Sequence, residues 1–195
     1  MNQDLVDEIE YMIDLLAKSG FFSSEDILEI LNDQFIDEDV DFSKFEIPPN
    51  DFDNANFRRL DNVFKKLADE NIVAVHNCGY DIEEGVADVF ELFVHLRNNK
   101  FEADGFCFYT LEDVEEAIHN KTLMITFGDF ENNESKALMI GKTVADALKQ
   151  EFTINWDVSI NEQIEISPFK WDKSFSDDEE YEIEGAYDVF VNRVK

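Results

Sequence analysis

Apolar residues at Leu5, Ile9, Met12, Ile13 and Leu16 recur at helical spacing, which predicts an amphipathic helix over residues 3–18. Ser19-Gly20 ends it. Ser23 or Ser24 then caps a second helix, with Glu25 and Asp26 in its first turn and Ile27, Leu28, Ile30 and Leu31 as its stripe up to Phe35. The pair reads as a helical hairpin. Residues 36–55 are acidic, contain Pro48-Pro49-Asn50-Asp51, and read as a linker or surface loop. Phe57, Leu60, Val63, Phe64 and Leu67 mark a third helix. Its Arg58, Arg59, Lys65 and Lys66 form the one basic concentration of the chain, a face suited to docking the acidic N-terminal segment.

From residue 71 the pattern changes to alternating strands and helices. Ile72–His76 is an apolar strand, Asn77-Cys78-Gly79-Tyr80 a turn, and Asp81 a helix cap with Glu84 in capping-box position. Ile82, Val86, Val89, Phe90 and Phe93 give that helix its expected buried stripe. Phe106–Tyr109 is a strand, followed by a second capping box, Thr110 with Asp113. Leu123–Phe127 is a strand closed by Gly128, and residues 136–151 are a helix. Ile154, Trp156, Val158 and Ile160 alternate with polar residues, predicting a half-buried strand; Ile164 and Ile166 continue the pattern, and Pro168 assigns that strand to an edge. The tail from Tyr181 fits neither period well. The expected fold is α+β, a mixed sheet of about five strands with covering helices, preceded by the helical hairpin. The expected division is 1–55 and 56–195, with one continuous domain as the alternative.

Charge alters this picture most. The 195 residues hold 46 acids and 16 bases, a net charge of −30, with 44% hydrophobic residues. Residues 1–55 carry 16 acids against 2 bases, residues 56–150 carry 18 against 10, and residues 151–195 carry 12 against 4. A folded chain of this mass exposes roughly 9,500 Å², so an even coat would place net charges roughly 18 Å apart, beyond the Debye length of about 8 Å. Only clusters act at range. The densest are Asp37, Glu38, Asp39 and Asp41, and Asp177, Asp178, Glu179 and Glu180 with Glu182 and Glu184 beyond them. This balance argues against nucleic acid or an anionic membrane as a direct partner and favours a basic protein or plain solvation. No apolar run spans a bilayer, the start lacks the pattern of a signal peptide, and two cysteines make no disulfide framework, so a cytoplasmic protein is expected.

Candidate chemistry is sparse. His76 and Cys78 share one side of an extended strand end, but two-residue spacing puts them about 7 Å apart, too far for a hydrogen bond. A buried structural Cys78 is the favoured reading. No zinc-ligand spacing is present, and Asp37, Asp39 and Asp41 lack the glycine and glutamate a calcium loop needs, with Phe42 and Pro48 in those places. Gly141-Lys142-Thr143 ends like a P-loop, but Lys136 stands where the first glycine belongs. No catalytic residue, metal or cofactor is assigned.

Several segments together resemble an uncharacterised bacterial family, domain-of-unknown-function family 6891. They are Arg59-Leu60-Asp61 with Phe64 and Leu67, Ile72-Val73-Ala74, Asn77-Cys78-Gly79-Tyr80, Gly85, Asp88-Val89, Gly105-Phe106-Cys107-Phe108-Tyr109, Asp113-Val114-Glu115, Phe127-Gly128 and Pro168-Phe169-Lys170-Trp171. The resemblance covers residues 21–171 and implies a shared fold but no activity. Cys78 stands where relatives often have Ala, and Thr110 where His is expected. A pocket common to the family would lie where Asn77, Gly79, Tyr80 and Tyr109 converge at the strand ends, beside Asp81.

The leading expectation is a non-catalytic module, immunity-type or regulatory, whose acidic clusters bind a basic protein. The alternatives are an enzyme or small-ligand binder using the Asn77–Asp81 turn, and a nucleic-acid mimic.

Overall fold

The computed structural model of the chain describes residues 2–193. The chain divides into two compact units, Met1–Asn54 with Asp172–Asp178, and Ala55–Trp171 with Glu179–Lys195.

In the first unit, helices α1 (Gln3–Ser19) and α2 (Ser24–Gln34) form the hairpin that the apolar spacing predicts. Gly20 ends α1 in the left-handed region at φ 74°, and a Cβ there would lie 2.3 Å from the Lys173 carbonyl oxygen. Ser23 and Asp26 complete a capping box at α2. A 3-10 turn, Phe42–Lys44, interrupts the acidic loop, with Asp41 capping it through the Ser43 amide and hydroxyl. The returning segment is held by side chains. Asn50 donates to the carbonyls of Ala17 (2.7 Å) and Lys173 (3.1 Å), and the buried Lys173 ammonium donates to the Gly20 carbonyl. The end of α1, where carbonyls lack helical partners, thus meets an amide and a cation.

The second unit contains α3 (Ala55–Asp69), β1 (Ile72–Val75), α4 (Ile82–Asn98), β2 (Gly105–Phe108), α5 (Leu111–Asn120), β3 (Leu123–Asp129), α6 (Glu134–Lys149), β4 (Ile154–Asn155), β5 (Ile164–Ile166) and α7 (Ile183–Val191). The mixed sheet has the order β1-β2-β3-β5-β4, with β1 and β2 parallel and the other pairs antiparallel. The fold is α+β.

Strand β2 is apolar throughout because both of its faces are covered. Phe106 and Phe108 join the core formed with Val89, Leu92 and Leu96 of α4 and Phe190 of α7. On the opposite face Gly105 lies under α6, where a Cβ would meet the Ile140 side chain at 2.0 Å.

Four local expectations need correction. The buried stripe of α4 is Gly85, Val89, Leu92 and Leu96, whereas Ile82 and Phe90 are exposed. Gly85 sets this rotation, since a Cβ there would lie 2.5 Å from both the Cys78 carbonyl oxygen and the Phe108 ring. Strand β3 is not closed by Gly128 but runs through it to Asp129, because the glycine leaves room for the ring of its register partner Phe106. The strand expected through Ile160 stops at Asn155: Val158 takes φ 60°, and the Trp156 indole N–H turns to the Ser159 and Glu162 carbonyls. Pro168 follows β5 rather than lying in it, so β5 sits inside the sheet and β4 forms the edge. The ambiguous tail is helical, as α7.

Two cations of the α3 basic face, Arg59 and Lys65, pair within its own unit. Arg59 binds Glu151 through both the carboxylate and the backbone carbonyl and lies over the Phe152 ring, while Lys65 pairs with Asp61 at 2.6 Å.

Candidate functional site

The parallel strands β1 and β2 end side by side, and the chain leaving each one builds the same small region. After Val75, His76 is buried, Asn77 turns the backbone at φ 47°, and Gly79 follows at φ 73°. Three backbone bonds tie this turn to the end of β2: Cys78 N–H to the Tyr109 carbonyl, Leu111 N–H to that of Gly79, and Glu112 N–H to that of Tyr80. Gly79 has no substitute here, since a Cβ would sit 2.6 Å from the Gly85 nitrogen in a left-handed backbone.

Beneath the turn runs a polar chain from α3 into the sheet. Lys65 donates to Asp61 Oδ2 at 2.6 Å, Asp61 Oδ1 lies 3.3 Å from His76 Nε2, and His76 Nδ1 lies 2.8 Å from the Tyr109 hydroxyl. Burial works to raise the Asp61 carboxyl, but the hydrogen bonds from His76 and Lys65 outweigh it and hold the group below its ordinary value. Asp61 is therefore an acceptor, and His76 donates to it through Nε2. Burial, reinforced by the Asp61 and Glu182 charges, pushes the Tyr109 phenol well above its ordinary value. The hydroxyl keeps its proton and donates to Nδ1. The imidazole is packed by Phe64 (centroids 4.5 Å apart, stacked), Phe57 (5.0 Å) and the half-buried Tyr181 (5.8 Å).

This order resembles that of a catalytic triad, with carboxylate, imidazole and hydroxyl in line. Tyr109, however, is 0% exposed and His76 3%. A hydroxyl held in its neutral form inside the core has no approach for a substrate carbonyl. What the arrangement does is satisfy a buried imidazole at both nitrogens and lock α3 to the ends of β1 and β2.

The sequence-proposed residues lie together in this turn but differ in burial. Asn77 and Tyr109 are buried, Tyr80 is 45% exposed, and Asp81 caps α4 by accepting from the Glu84 amide at 2.9 Å. The Glu84 carboxylate accepts from the Tyr80 amide rather than from Asp81, so the capping box is open on one side. Cys78 is not paired with His76; its thiol donates to the Gly85 carbonyl at 3.4 Å. Burial, then Asp88 and Glu182, push that thiol far up, as burial alone does for Cys107. Both thiols are unreactive as nucleophiles. Asn77 donates to Glu182 Oε1 at 2.7 Å, which fixes its amide orientation and leaves Oδ1 as the one buried side-chain polar atom without a partner among the described residues. Among the described residues no group of three His, Cys, Asp or Glu side chains could hold a metal ion. No described helix is long and apolar enough to cross a membrane.

Two members of the polar cluster escaped the sequence reading as site residues. Asp61 was visible only within Arg59-Leu60-Asp61, one helical turn from Phe57 and Phe64 on the buried stripe, where a carboxylate needs a partner. Glu182 showed in the sequence only as part of the acidic run from Asp177 to Glu184, because its contact with Asn77 joins residues 105 positions apart.

The eight carboxylates of the acidic clusters are all exposed. Asp41 is engaged by Ser43 and Lys44, and Glu179 accepts from the Tyr181 hydroxyl. A family profile described as "Domain of unknown function (DUF6891)" matches residues 52–175. The chain belongs to this family. The DUF6891 match takes in α3 to β5 and with them Asp61, His76, Asn77 and Tyr109, whereas Glu182 and the hairpin lie outside it. No curated protein and no solved structure matches the chain.

Proposed function

We propose that this DUF6891 protein is a cytosolic, non-catalytic binding module whose carboxylate surface engages a basic protein. The observation that carries the reading is the charge excess itself. With 46 acids and 16 bases, complete internal pairing would still leave a net charge of −30. Basic side chains are meanwhile spent internally, Arg59 on Glu151, Lys65 on Asp61 and Lys173 on a backbone carbonyl. The uncompensated carboxylates give a field that accelerates encounter with cations and rejects acidic partners. The exposure of Asp37, Glu38, Asp39, Asp177, Asp178 and Glu180 supports these clusters as part of that surface. The burial of His76, Cys78 and Tyr109 removes the enzyme-like groups from reach.

The test is capture from native lysate at low salt, using the protein and a variant with Asp37, Glu38, Asp39, Asp177, Asp178 and Glu180 changed to their amides. The reading expects a stoichiometric basic protein, released by a salt step and lost with the variant. Partners that are neutral or acidic, bound regardless of salt, would sink it.

One observation favours a second reading. Asn77 Oδ1 is a buried acceptor with no partner, the kind of group a small ligand with an N–H or O–H donor satisfies. Asn77→Gly keeps the positive φ and deletes the amide. A metabolite that raises the melting temperature of the protein but not of this variant would support that reading.

A further inference from the structure

Helices α4 and α7 pack against each other and leave between them an open groove of about 480 Å³. Its floor is apolar: Leu92 is buried in the core, and Ile183 and Tyr187 pack on that core while remaining partly accessible. Its rim is acidic on both sides, with Asp88 and Glu91 from α4 and Glu184 and Asp188 from α7. The spacings are i,i+3 on one wall and i,i+4 on the other, so each wall carries two acidic residues with Cβ atoms about 5–6 Å apart, one turn above the next. Among the described residues no Lys or Arg lines it. Arg97, further along α4, lies over the Phe93 ring. Crowding is evident in Asp88, whose carboxyl is raised by burial and by the charges of Glu84 and Glu91.

An apolar floor between two acidic walls is complementary to a helix with an apolar stripe flanked by cations. From Asp88 to Glu91 and His95 the α4 wall runs seven residues, roughly 10 Å. That accommodates two turns of a ligand helix, the i, i+3/i+4, i+7 anchors of helix-in-groove recognition. A purely acidic surface would take any cation, whereas here the buried and half-buried Leu92, Ile183 and Tyr187 select for one that also brings aliphatic side chains. A second copy of this chain does not fit, since it would bring its own excess of carboxylates.

We propose that the α4/α7 groove docks a basic amphipathic helical segment of the partner protein. The proposal rests on the binding-module reading above and adds, to the charged clusters, an apolar-floored contact for one segment of the same partner, which the isolated peptide probes by itself. The probe is a fluorescein-labelled synthetic lysine–leucine amphipathic peptide, compared with a lysine–serine peptide of equal charge. Binding is read by anisotropy and by amide chemical-shift mapping on the full chain.

The expected result is that the lysine–leucine peptide binds at least about tenfold more tightly than the lysine–serine peptide. Amide shifts should centre on residues 88–95 and 183–188. The exposed pair Glu91→Lys with Asp188→Lys should weaken binding at least about tenfold, whereas Asp37→Asn, Glu38→Gln and Asp39→Asn together should change it less than about twofold. Equal affinity for the two peptides, or shifts centred on residues 37–41, overturns the groove while leaving a charge-driven binding module standing. No binding of either peptide also overturns the groove, and the lysate capture decides separately whether the module reading falls with it.

Discussion

Replacing Tyr109 with Phe deletes one oxygen and keeps the ring, so packing against Phe64 and Trp171 is preserved. What is lost is the O–H donor to His76 Nδ1, a 2.8 Å bond inside a fully buried site. The imidazole cannot compensate by turning over, because its other nitrogen is committed to Asp61. Removing the donor from a buried acceptor costs ~1–3 kcal/mol, and the extra apolarity of Phe offsets a fraction, so a net loss of ~1–2 kcal/mol is expected. With a urea slope of ~2 kcal/mol per M, the midpoint should fall by about 0.5–1 M with the slope unchanged. Both tryptophans, Trp156 and Trp171, belong to the second unit, so intrinsic fluorescence reports the unit that contains the substitution. Tyr80→Phe is the matched control: the ring is 45% exposed, and its midpoint should stay within about 0.2 M of the parent. A Tyr109→Phe midpoint at or above that of the parent would refute the hydrogen-bonded, structural role given to His76.

Three further outcomes follow from the same geometry. Asp61→Asn should cost ~1.5–3 kcal/mol at neutral pH by removing a charged acceptor from His76 and Lys65. The Asp61 carboxyl is held below its unfolded value, so its contribution is present above about pH 4 and is lost as pH falls through the folded value; the gap between variant and parent in urea titrations should narrow with acid, and a widening gap would contradict the assignment. Gly85→Ala gains ~1 kcal/mol of helix propensity but drives a Cβ to 2.5 Å from the Cys78 carbonyl, an overpacking cost of ~1–3 kcal/mol; calorimetry should show a lower melting temperature, and a higher one would mean that α4 sits further from the sheet. Cys78 and Cys107 should react with a thiol reagent only on unfolding, whereas stoichiometric labelling of the native protein would mean that the turn opens.

Period and capping chemistry made much of the fold legible. The hairpin, α3, the two capping sites at Asp81 and Thr110, and the central apolar strand β2 follow from local patterns. The errors share a cause in packing partners that local sequence does not contain. The rotation of α4 is decided by Gly85 meeting Phe108, the length of β3 by Gly128 meeting Phe106, and the early end of β4 by Trp156 finding carbonyls in the loop that follows. The strand–turn–helix at residues 77–81 was legible as a place but not as a site. The polar chain beneath it joins Asp61, His76 and Tyr109 across 15 and 33 positions, which no short-range period encodes. The groove was invisible for the same reason, because it needs α7, and the tail from Tyr181 resolves as a helix through its packing on β1, α3 and α4.

If uncompensated carboxylates bind a basic partner, ionic strength must set the affinity. The dissociation constant of the captured partner should be measured by titration calorimetry across a salt series, at fixed pH and temperature. The affinity should fall steeply and linearly on a log–log plot, with the loss carried mainly by a slower association rate. An affinity that holds constant across the series would contradict it and leave the charge of this DUF6891 protein without a role in binding.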